Sequence, residues 1–150
     1  MSEVLFMVKV ERVKQIRNFK RLEQVDAYKQ WYKNIPDDLL EELNKKEIAL
    51  FCKSMNARTP LEYSFWEQVW HYEQFLSEKN KKKTYARYTR RAVENLGVKT
   101  FLKNLIGKPE TLGFKSLEEF DSLDISYEQV VLKHADEFDV GIIEIVNKRL

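Results

Sequence analysis

From Val10 onward, apolar residues recur every three or four positions: Val13, Ile16, Phe19 or Leu22, Val25, Tyr28, and Trp31 or Tyr32. That interval is one face of a helix, and Lys and Arg fill the other face. The spacing therefore predicts one long basic amphipathic helix over about 10–33. Residues 1–10, MSEVLFMVKV, fit either a short strand or the first turns of a helix. Asn34-Ile35-Pro36 ends the pattern, because the residue before a proline is disfavoured in a helix. A second helix opens at Pro36 with acids in its first turns, where the helix dipole favours them. It runs to about Met55, with a kink expected near Asn44.

Thr59-Pro60-Leu61-Glu62 is the clearest start signal: an N-cap threonine, a proline at the first helical position and a capping-box glutamate. The helix it opens, about 60–78, is apolar over more than half its circumference. Leu61, Phe65, Val69, Tyr72, Phe75 and Leu76 make one part of the arc, and Tyr63, Trp66 and Trp70 extend it. Such a helix is packed from several sides at the centre of a bundle. Glu73 falls inside the arc, so its carboxylate needs a partner.

Farther on, Thr84 is placed to cap a helix over 85–96, with Tyr85, Tyr88, Thr89, Ala92, Val93 and Leu96 inward and Arg87, Arg90, Arg91 and Glu94 outward. Gly97 closes it, and a short helix over 98–106 follows. The acidic part, 110–150, carries two further S-x-x-E/Q boxes, at Ser116 and Ser126, and ends in a helix from about Asp139 to Leu150. The expected fold is all-α: a single-domain helical bundle, 1–150, of seven or eight helices around the aromatic-rich helix at 60–78.

Composition agrees with this picture. Four Gly and three Pro are few for 150 residues, which favours long helices and short connections. The single cysteine, Cys52, sits in the apolar run IALFCKSM and reads as a small buried hydrophobe. No intrachain disulfide and no signal peptide at Met1 lead us to expect a cytoplasmic protein. Apolar runs such as Val4–Val8 are far too short to span a bilayer, so no membrane partner is expected.

Net charge is only +2, but it is segregated. Residues 1–35 hold eight basic and four acidic side chains, whereas 110–150 hold four basic and ten acidic. The densest run, KNKKKTYARYTRR at Lys79–Arg91, has seven cations in thirteen residues, no acid and two tyrosines. Lys79, Lys81, Lys82, Lys83, Arg87, Arg90 and Arg91 are therefore candidate phosphate contacts. Lys99, Thr100, Lys103 and Asn104 on the next helix are candidates for a second contact line or for base edges. Two short helices about Gly97 invite comparison with a helix-turn-helix. That alignment puts Val93 where the first helix normally carries Ala, and Lys103 where the second normally turns an apolar residue inward. Lys9, Arg12, Lys14, Arg17, Lys20 and Arg21 could extend the same positive face.

Catalytic signals are missing from the sequence. It contains no Glu-x-Lys or Asp-x-Lys tripeptide, no glycine-rich phosphate loop and no triad-like Ser or Cys. His71 and His134 are 63 positions apart with one distant cysteine, which makes no zinc pattern. No catalytic residue, metal or cofactor is expected. The expected function is non-enzymatic nucleic-acid binding, with DNA the expected partner, in an accessory or regulatory role. The alternative is a protein-interaction or self-assembly module that joins basic and acidic ends.

Overall fold

The computed structural model describes residues 2–150, apart from the side chain of Leu5. Its regular elements are all helical, with no strand among the described residues. The helices gather into two compact units, Met1–Ala57 and Arg58–Leu150. No change of composition marks the junction in the sequence.

The first unit holds α1 (Glu3–Arg17), α2 (Leu22–Trp31) and α3 (Asp37–Ser54). The ambiguous first residues are therefore helical from Glu3, and Met1 lies outside the described residues. The single helix expected over 10–33 is two helices. The break at 18–21 contains no glycine or proline. Gln24 makes it: its side-chain oxygen accepts from the Lys20 and Arg21 N–H groups, at 2.7 and 3.1 Å. The turn lets Phe19 pack edge-on against Tyr28, with ring centroids 6.0 Å apart. Helix α3 runs without interruption from Asp37 to Ser54, through Asn44. Ile16, Val25, Tyr28, Leu39 and Leu43 form the core of this unit. Cys52 is buried, as its setting predicts.

The second unit is organised on α4 (Pro60–Asn80), which starts where the sequence signal lies: Thr59 Oγ1 accepts from the Glu62 N–H at 3.1 Å. Phe65 and Val69 are fully buried on it. Around it lie α5 (Arg87–Leu96), α6 (Val98–Ile106), α7 (Leu112–Glu119), α8 (Tyr127–Lys133) and α9 (Val140–Arg149), with short 3-10 turns at Leu123–Ile125 and Ala135–Glu137.

Two expected caps are corrected. Ser116 lies inside α7, and Thr111 caps that helix by accepting from the Phe114 N–H at 3.0 Å. Thr84 does not cap α5, which begins at Arg87 after Ala86. Ser126 occupies the N-cap position of α8 without making a side-chain cap bond.

Candidate nucleic-acid interface

The basic stretch is the connection from α4 to α5. Helix α4 ends in a left-handed residue, Lys81 (φ 54°). The Lys82 N–H donates to Ser77 O at 3.1 Å and the Lys81 N–H to Glu78 O at 3.3 Å. This double closure usually has glycine at the left-handed position, because a side chain there costs about 1 kcal/mol. Ser77 Oγ then accepts from the Thr84 N–H at 2.9 Å, which ties the connection back to α4.

Glu73 fixes the far end. Its carboxylate is buried, accepts from the Ala86 N–H at 2.9 Å, and grips Arg90 through Nε at 2.7 Å and Nη2 at 2.5 Å. The two-pronged geometry satisfies both oxygens, so the buried carboxylate has a structural role. Arg90 is thereby corrected from an outward phosphate contact to a half-buried structural group. Its guanidinium also lies 4.7 Å from the centroid of the Tyr85 ring, and Lys83 Nζ lies 5.6 Å from the same ring.

Lys79, Lys81, Lys82, Lys83, Arg87, Arg91, Lys99, Thr100, Lys103 and Asn104 are exposed. Lys79 reaches across to α7, donating to Ser116 Oγ at 2.8 Å. Among the described residues no carboxylate pairs with Lys81, Lys82, Arg87, Arg91, Lys99 or Lys103. Helices α5 and α6 both start with no acid in the first turn and no capping side chain. Arg87 and Lys99 stand there instead, adding to the positive end of each helix dipole.

The N-terminal basic residues are held differently. Lys9 pairs with Asp38, Lys14 with Glu11 at 3.7 Å and Arg17 with Glu42 at 3.0 Å, while Arg12 lies 5.1 Å from the Tyr32 ring centroid. Much of the positive charge of the first unit is thus neutralised within that unit.

Three further expectations change. Tyr88 points outward, 76% exposed, and Tyr85 is 40% exposed. The buried line of this segment is Ala86, Thr89 and Val93, spaced three and four apart, and that spacing was the available signal. Leu96 is exposed as well. The helix-turn-helix comparison fails on the joint. Only Gly97 separates α5 from α6, where that motif needs a turn of about three or four residues. Lys103 is exposed and Val93 buried, so the polarity follows these two helices' own packing.

Beside α5 lies a cleft of about 280 Å³ that the sequence does not announce, because its walls come from separate helices. Tyr72 and Leu76 of α4, Phe101 and Leu105 of α6, and Phe114 and Leu117 of α7 supply apolar surface. Arg87, Tyr88 and Thr89 border it from α5. Ser126, Tyr127 and Glu128 border it from the start of α8. The Ser126 and Tyr127 hydroxyls are buried without a well-formed hydrogen bond; Thr89 is near enough to Tyr127 to oppose the rise in its pKa that burial causes. Burial also raises the pKa of Tyr72. Burial raises Glu128 too, against the pull of Arg149, whose Nη1 donates to its carboxylate at 3.2 Å.

Nothing here assembles a metal site: no cluster of three His, Cys, Asp or Glu occurs among the described residues. His134 bonds to Ser64 Oγ at 2.8 Å and is half-buried. No helix among the described residues is long and apolar enough to cross a membrane. Comparison with family models, curated proteins and solved structures gives no match.

Proposed function

We propose that this protein binds nucleic acid, DNA in particular, through the α4–α5 connection and the exposed faces of α5 and α6, as a non-enzymatic accessory or regulatory factor. One observation carries the reading: six cations in this region have no carboxylate partner among the described residues, while the comparable cations of α1 mostly do. Two uncapped helix starts and the exposed ring of Tyr88 add support, as donors to phosphate and as a stacking surface.

The test is a fluorescence-anisotropy titration with a random-sequence duplex at two salt concentrations. Four phosphate contacts lower affinity about a hundredfold between about 50 and 200 mM salt. The Arg87→Ala/Arg91→Ala double variant is expected to reduce the salt slope by about two. An absence of binding at low salt overturns the reading, as does an unchanged slope in the variant.

A protein-contact role is the second reading. It is favoured by Val4, Phe6, Met7 and Val8, four large apolar residues exposed near the start of α1. Mass that rises with concentration in ultracentrifugation, with no response to DNA, would decide for it.

A further inference from the structure

We propose that the cleft beside α5 takes one nucleotide, with the base against its aromatic walls and the phosphate at Arg87. At about 280 Å³ it lies just under the range of small-molecule sites, which starts near about 300 Å³, so it suits one ring system and its substituents. The rings of Tyr72, Phe101, Phe114 and Tyr127 offer a flat planar body both faces and edges to pack on. Thr89, Ser126 and Tyr127 add polar side chains to the lining beside the rings. An occupant with donors and acceptors on its edge suits such a wall.

Charge sets the other end of the ligand. The one acid in the lining, Glu128, is held by Arg149. Arg87 has no carboxylate partner among the described residues and stands in the first turn of the uncapped α5, so the mouth of the cleft favours an anion. A planar ring with a polar edge and an attached phosphate is a nucleotide. It can come as a mononucleotide or as an unpaired residue of a bound strand. The second source rests on the nucleic-acid reading above.

The probes are AMP, adenosine, and a single-stranded oligonucleotide carrying one 2-aminopurine. Calorimetry is expected to show AMP binding about tenfold or more tighter than adenosine. Arg87→Ala is expected to bring AMP down to the level of adenosine. Leu105→Trp fills the cleft and is expected to abolish both. If that variant fails to fold, the preference for AMP and its loss in Arg87→Ala decide the matter. AMP binding identifies the mononucleotide as the source. A change in 2-aminopurine emission without AMP binding, lost in Leu105→Trp, identifies the strand. No response from either probe overturns the proposal, as does an equal response from folded Leu105→Trp. If duplex DNA still binds in that case, the nucleic-acid reading stands alone; if nothing binds, both fall.

Discussion

At the scale of single residues, two buried glutamates behave in opposite ways. Glu73 is matched by three donors, so removing it leaves the Ala86 N–H and the Arg90 guanidinium without their partner. Glu73→Ala is expected to cost about 3–5 kcal/mol, read as a fall in the denaturation midpoint. Glu128 has Arg149 for company, but burial outweighs that pairing and raises its pKa from the ordinary 4.5. The folded protein therefore holds this proton to higher pH than the unfolded chain does. Its contribution to stability is fullest below the ordinary value and is lost as pH rises through the raised one. Glu128→Gln removes that dependence. Stability of the parent minus that of the variant should fall from acid to neutral pH, and denaturant titrations of both proteins across that range check it. Glu73 was legible in sequence as a carboxylate within an apolar arc. Its partner was not, since Arg90 lies among six other cations and nothing local singles it out.

At the scale of elements, legibility followed how local the cause was. The start of α4 is written in four adjacent residues, and it forms where they stand. The break before α2 depends on Gln24 reaching back to the Lys20 and Arg21 amides, while the apolar spacing runs on undisturbed through the turn. Ser116 and Thr111 show the same limit: both offer a capping hydroxyl, and packing chooses between them. Gly97 is the joint between α5 and α6, at φ 82° and ψ 161°, a region open in practice to glycine alone. Nothing lies within 4 Å of where its Cβ would stand, so the cost of Gly97→Ala is backbone strain, about 1–3 kcal/mol. Gly141, inside α9, is equally uncrowded and has no positive φ, so Gly141→Ala is expected to stabilise by about 0.5–1 kcal/mol. Thermal melts of the two variants should shift in opposite directions.

At the scale of the whole molecule, the candidate interface and the cleft lie within Arg58–Leu150, which has its own buried core. A chain beginning at Arg58 is expected to melt cooperatively and to keep the salt slope of the full-length protein on duplex DNA. Several cations of the first unit are already paired with acids and release few counterions. A slope that drops markedly in the shorter chain would count against this division of labour. The all-helical class could be foreseen from periodicity and scarce glycine. The cleft could not, because no local pattern pairs Tyr72 with Phe101 or Ser126. One further consequence follows from the way the lysine-rich connection is secured, by the Ser77 and Glu78 carbonyls at its start and by Ser77 Oγ and Glu73 at its end. Cationic segments that become ordered only on binding lose conformational freedom at that moment and show a large negative heat-capacity change. Here the ordering is completed during folding. In the proposed complex, the share of binding that this connection supplies is an exchange of ions between surface and solvent, so that share carries little enthalpy and changes little on warming.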